Sequence, residues 1–131
     1  MQNPFKTGDQ KVYKHLVTDA DVAKFSSGLV HPFYATFALG RDAEWAGRLF
    51  VLEMKEDDEE GIGTYLTIEH KSPAFLGDEV VIVATLESVE RNSVDCSYIA
   101  RVGERIIAEG TTGQKILKKT KLEAIVSQFN G

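Results

Sequence analysis

The chain holds one cysteine, Cys96, among 131 residues. This excludes an internal disulfide framework and a cysteine-based metal cluster within one chain. No apolar run reaches the roughly 18 residues a membrane span needs, and no charged-then-apolar leader is present. Neither a membrane partner nor a secretory signal is expected, which leaves the cytoplasm as the default compartment. Positive charge is also scarce, with 15 Lys and Arg against 20 Asp and Glu and a net charge of -5. Nucleic-acid binding relies on basic surface to displace counterions, so it is not expected here. Walker-type loops, dinucleotide fingerprints and metal-ligand clusters are absent from the sequence, so it implies no cofactor and no metal. Repeats, linkers and low-complexity segments are missing too. What is present is 43% hydrophobic and of single-domain length, and residues 1–131 are expected to form one domain.

Periodicity divides the chain into elements. Lys11 to Val17 reads as a strand, and Thr18 to Asp21 as a short turn or helical segment. Leu29 to Ala35 looks irregular, with Pro32 marking a break. From Thr36 to about Met54 the pattern is helical and largely apolar. The acidic run from Glu56 to Glu60 reads as a solvated loop, and because acids suit a helix C-terminus badly the helix is expected to end just before it. Alternation then takes over. Ile62, Thr64, Leu66, Ile68 and His70 share one strand face, and Glu79–Glu90, Ser93–Val102 and Arg105–Leu117 follow as strands joined by short turns. Cys96 falls in phase with Val94, Tyr98 and Ala100, which marks it as a core residue. Thr120 with Glu123 forms a capping-box signature, followed by Leu122, Ile125, Val126 and Phe129 on one face of a closing helix.

A long apolar helix before an antiparallel meander predicts an α+β architecture, the hotdog arrangement of a helix wrapped by a curved sheet. An open sheet of this kind leaves strand edges unprotected, and pairing with a second copy is the usual remedy. A homodimer at least is expected.

Glu44 is the most informative residue on the helix. The stripe Phe37, Gly40, Glu44, Gly47, Val51 carries no other charge. A carboxylate on a buried stripe must be paired, neutralised or used. Gly40 and Gly47 lower helix propensity by about 1 kcal/mol each relative to Ala, so a packing or access reason is expected, such as room around the carboxyl group.

Three segments carry a resemblance to a known family. They are Thr36-Phe37-Ala38-Leu39-Gly40-Arg41-Asp42-Ala43-Glu44-Trp45-Ala46, then Gly61-Ile62-Gly63-Thr64, then Ile68-Glu69-His70-Lys71-Ser72-Pro73-Ala74-Phe75-Leu76-Gly77. Together they resemble the fluoroacetyl-CoA thioesterase family of hotdog proteins. Thr36 precedes Glu44 by eight residues, His70 follows Glu44 by 26, and Gly63 stands seven before His70, all in the family's register. The resemblance implies an acyl-CoA thioesterase with Thr36, Glu44 and His70 as the catalytic constellation. It also implies a lid before the threonine, where Val30 falls at the place of the family's gating phenylalanine while Phe33 and Tyr34 stand nearby. Because Val30 is too small to seal a small acyl group, no large preference for fluoroacetyl-CoA over acetyl-CoA is expected.

The chemistry can also be argued from the residue types. Thioester hydrolysis needs a nucleophile or a water-activating base, a donor for the oxyanion and a proton for the leaving thiolate. Glu44 suits direct attack or proton abstraction from water, and the sequence leaves both open. His70 suits proton transfer. Thr36 offers a hydroxyl to orient Glu44, bind the carbonyl or hold the water, and the Gly63 N–H is a lesser candidate for the carbonyl. The plain alternatives are a helix cap for Thr36 and a structural strand-end histidine for His70. Trp45 and Arg48 lie on another stripe, and His15 and His31 belong to no motif. Lys71, Lys115, Lys118 and Lys119 are candidates for the coenzyme A phosphates. A non-catalytic acyl-CoA-binding module on the same fold is the main alternative function. A hotdog hydratase is disfavoured because no Asp–His pair stands near Asp42, and a purely structural protein is the remaining class.

Overall fold

The computed structural model describes residues 1–25 and 28–130. Strand β1 (Gln10–Leu16) leads through a single 3-10 turn (Asp19–Asp21) into β2 (Val22–Phe25) and β3 (Gly28–Tyr34). Helix α1 (Thr36–Met54) comes next, then β4 (Glu59–Leu66) and the two-residue β5 (Glu69–His70). The chain closes with β6 (Glu79–Glu90), β7 (Ser93–Val102), β8 (Arg105–Lys118) and α2 (Lys119–Asn130). The main sheet is antiparallel in the order β1-β6-β7-β8-β4, with β5 also paired to β8, and β2 and β3 make a separate hairpin. Helix α1 packs against β1, β4, β6, β7 and β8, so the sheet curls around it as expected from the sequence. Among the described residues no helix is long and apolar enough to cross a membrane.

Alternation and helical spacing explain the core. Val80, Ile82, Ala84 and Leu86 of β6 and Val94, Cys96, Tyr98 and Ala100 of β7 point inward at every second position. They meet Ala38, Leu39, Ala43, Ala46, Phe50, Val51 and Met54 of α1. Fully burying a side chain of the size of Phe50 or Leu39 contributes about 1.5–3 kcal/mol. The Cys96 thiol is pushed up to about 12, first by burial and then by the charge of Asp95, so it remains an unreactive core group as expected. Gly40 and Gly47 have a different purpose from the one anticipated. A Cβ on Gly40 would meet Leu66 Cδ2 at 2.9 Å and one on Gly47 would meet Thr112 Oγ1 at 2.7 Å. These glycines seat the helix closely on β4 and β8 rather than making room for a carboxylate.

Three expectations are corrected. The stretch read as irregular around Pro32 is strand β3, whose hairpin edge tolerates a proline because no ladder bond is lost there. The acidic run is only partly a loop, since Glu59 and Glu60 open β4 and Glu59 is buried against the terminal amine of Met1 at 2.7 Å. Helix α2 begins at Lys119, one residue ahead of the proposed Thr120 cap, and buries no residue; Phe129 is 78% exposed.

Candidate active site

Helix α1 starts at a buried alanine. Ala35 occupies the N-cap position, where no side chain caps the helix, and its own N–H donates to the Asp21 carbonyl at 2.8 Å. Thr36 is therefore the first helical residue and not the cap. Its hydroxyl turns to β5, where Thr36 Oγ1 lies 3.0 Å from His70 Nε2. The hydroxyl donates when that nitrogen carries no proton. Next to His70, the N–H groups of Lys71 and Ser72 both donate to the Ile107 carbonyl, and the Ser72 hydroxyl donates to the Ile106 carbonyl. The histidine is thus held at the end of a short strand pinned to β8.

This pair borders a pocket of about 410 Å³ whose lining includes His31, Phe33, Tyr34, Leu39, Lys71 and Ile107. Phe33 stacks edge-on against Phe75 at 5.3 Å between ring centroids, and His31 Nδ1 accepts the Phe33 N–H at 3.2 Å. Phe33, rather than Val30, forms the aromatic wall; Val30 is 58% exposed and does not line the pocket. Tyr34 lines the pocket with its ring but buries its hydroxyl, which donates to Asp42. Lys71 is at the pocket, ion-paired with Glu69 at 2.8 Å and Glu109 at 3.6 Å. Lys118 is paired with Asp58.

Glu44 does not join Thr36 and His70 within the chain. It lies eight residues beyond Thr36, about 12 Å along the helix axis. It is exposed, not buried, and its carboxylate rests against Gly63 of β4, where a Cβ would collide with Oε1. Gly63 therefore accommodates the carboxylate and does not border the pocket. Among the described residues Glu44 forms no ion pair, because the helix cations Arg41 and Arg48 are engaged by Asp21, Asp42 and Glu60.

The buried acids of this region are Asp21 and Asp42, each 2% exposed. Asp21 Oδ2 accepts from the Thr18 N–H at 2.8 Å, the Thr18 hydroxyl at 2.9 Å and His15 Nε2 at 2.8 Å. Arg41 donates to Asp21 Oδ1 at 2.8 Å and to Asp42 at 2.9 and 3.0 Å. Burial alone raises the Asp21 carboxyl, but these hydrogen bonds outweigh it and hold the group well below the usual carboxylate range. The Tyr34 phenol is raised, first by burial and then by its bond to Asp42. Sequence reading passed over this network. One available signal is the alternation of Lys11, Tyr13 and His15, which places His15 on the inward side of β1.

Comparison with known proteins follows the same lines. The sequence profile of the family described as fluoroacetyl-CoA-specific thioesterase, FlK, matches residues 17–120. A hypothetical protein of Thermus thermophilus described as a thioesterase superfamily member is similar over 98% of this chain and 96% of its own, at 35% identity and a TM-score of 0.92. The fluoroacetyl-CoA thioesterase FlK matches with a TM-score of 0.87 at 22% identity, covering 95% of this chain and 96% of that one. A 1,4-dihydroxy-2-naphthoyl-CoA thioesterase from Synechocystis matches with a TM-score of 0.66 at 15% identity, over 84% of this chain and 83% of that one. These similarities establish the hotdog fold. Among curated proteins none matches the sequence significantly.

Proposed function

The chain belongs to the fluoroacetyl-CoA-specific thioesterase family and is a thioester hydrolase, and from that premise we propose that it cleaves short acyl-CoA thioesters where Thr36 and His70 meet. The observation that carries this reading is the 3.0 Å contact between Thr36 Oγ1 and His70 Nε2 beside an apolar-walled pocket. The thioester carbonyl is placed at the uncapped start of α1, where the first-turn N–H groups and the positive end of the helix dipole favour a developing oxyanion. Thr36 holds the carbonyl or the attacking water. Water adds to the carbonyl carbon, the C–S bond breaks, and the departing thiolate takes a proton from His70.

Glu44 supplies the carboxylate that activates the water or attacks directly. Since it stands two turns from Thr36, we assign this role to the partner's Glu44 in a homodimer joined along the β4 edge. The Phe33–Phe75 wall suits short acyl groups. Val30, small and outside the wall, gives no reason for a strong fluoroacetyl preference. Lys71, already beside the pocket, is the cation assigned to the coenzyme A end.

The test is thiol release measured across fluoroacetyl-, acetyl-, isobutyryl- and hexanoyl-CoA with wild type, Thr36→Ala, His70→Asn and Glu44→Gln. Wild type is expected to turn over the shorter esters, and each variant to lose about 10²–10⁴-fold in kcat/KM while keeping its fold. Tight binding of acyl-CoA by wild type without thiol release would instead make the chain a non-catalytic binder.

A further inference from the structure

The hydrolytic steps use neither Asp21 nor Asp42, yet the chain buries both. Taking two carboxylates out of water is costly unless every lone pair finds a donor. Here all four carboxylate oxygens accept at least one hydrogen bond, and among the described residues no buried side-chain nitrogen or oxygen lacks a partner. The network joins four elements: His15 from β1, Thr18 and Asp21 at the 3-10 turn, Tyr34 from β3, and Arg41 and Asp42 from α1. His15 also stacks with Tyr13 and with Tyr34, at 6.2 Å between centroids in each case.

What this network holds is the wall of the acyl pocket. The β2–β3 hairpin is a sheet of its own, with two register irregularities and most of β3 exposed. Its end is tied down by the Tyr34 N–H donating to the Ala74 carbonyl at 2.9 Å and by the bridge between Phe33 and Phe75. The third tie is the Tyr34 hydroxyl, which reaches Asp42 on the helix that begins with Thr36. Phe33 directly precedes Tyr34 and His31 stands three residues before it on the same strand, so this bond sets how far the aromatic wall stands from the reacting pair. We propose that the Tyr34–Asp42 hydrogen bond, backed by Arg41, Asp21 and His15, is a positioning latch that determines which acyl lengths the pocket accepts. The proposal rests on the thioesterase reading for its substrate.

Tyr34→Phe removes one oxygen and keeps the ring, while Asp42→Asn keeps an acceptor for the hydroxyl. For Tyr34→Phe, the ratio of kcat/KM for acetyl-CoA to that for hexanoyl-CoA is expected to fall by about tenfold or more, the scale on which a methylene is discriminated. The change should appear as a raised KM for acetyl-CoA more than as a lowered kcat. Asp42→Asn should remain nearer to wild type in this ratio. Amide hydrogen exchange, which needs no turnover, should accelerate across residues 28–34 in Tyr34→Phe and stay unchanged in the centre of α1. A uniform fall in kcat/KM at every acyl length, with the ratio preserved, would make the bond merely structural and overturn the proposal. If wild type releases no thiol, the thioesterase reading fails by itself; unchanged exchange at residues 28–34 would then overturn the latch as well.

Discussion

Gly63 shows how one missing methyl group shapes this surface. Its α-carbon faces the carboxylate of Glu44, and an added Cβ would also lie 3.0 Å from Glu44 Cδ and 3.3 Å from Oε2. The residue is exposed near the open edge of the sheet, so the strand itself tolerates a side chain. Gly63→Ala is therefore expected to melt close to wild type while displacing the carboxylate by a fraction of an ångström or more. A misplacement on the order of 1 Å costs up to about a hundredfold in rate when the displaced group takes part in the chemistry. Thiol release by Gly63→Ala, read beside its melting curve, checks this; full activity would take Glu44 out of the reaction. Aromatic position matters in the same way. Phe33 lines the pocket and reaches Phe75, while Val30 three residues earlier is exposed, so of the candidates the sequence offered near the lid, Phe33 and not Val30 stands at the pocket.

Among the elements, the 3-10 turn does the most joining for its length. Its Asp21 holds a carboxyl well below the ordinary range through bonds from Thr18, Arg41 and His15. A folded-state value below the unfolded one, near 3.9, means that the stabilisation is present in full above that pH and is lost as pH falls toward the native value. Urea midpoints of wild type and Asp21→Asn should therefore differ at pH 6 and begin to draw together only below about pH 4, narrowing progressively as pH falls further. A gap that does not narrow at all as pH falls below about 4 would place the stabilisation elsewhere. Elements with strong periodicity were legible in the sequence: α1 runs from Thr36 to Met54, and β6 and β7 match their expected bounds. Strand β3 was not, because Pro32 signals a break wherever its lost N–H would matter, and at this hairpin it does not. Nor was the start of β4, whose acids Glu59 and Glu60 are held by Met1 and Arg48, partners 58 and 12 residues away. The pairing of Thr36 with His70 followed from the family register and not from strand phase, since the alternation expected from Ile62 to His70 is broken by a bulge after Gly63 and by the end of β4 at Leu66. The burial of Asp42 in place of Glu44 did not, because it depends on Tyr34, Asp21 and His15 arriving from three other segments.

At the scale of the molecule, the β4 edge is the unfinished side. Among the described residues strand β4 pairs only with β8, and Tyr65 and Leu66 there, like Phe37 and Trp45 on α1, are exposed. Such an edge calls for a cover, and the proposed homodimer would supply it with a second copy of the chain. The protein is expected to sediment as a dimer, and mixed dimers of Thr36→Ala and Glu44→Gln subunits are expected to recover activity that neither variant has alone. A monomer at working concentration, or mixed dimers as inactive as their parents, would rule out a site shared between subunits. The bare start of α1 has its own consequence for how such a protein can be improved. Folded domains retain only about 5–15 kcal/mol of net stability, and a Ser or Asp at the N-cap commonly adds about 1 kcal/mol. Residue 35 is a buried alanine, so that cap is missing, and a Ser or Asp there would gain the increment only where the packing admits its side chain. With the carbonyl at the start of α1 as proposed, a polar side chain there would compete for the same N–H groups. On that reading selection for heat resistance and selection for turnover pull this single position in opposite directions, and a substitution chosen to harden the enzyme would be expected to silence it.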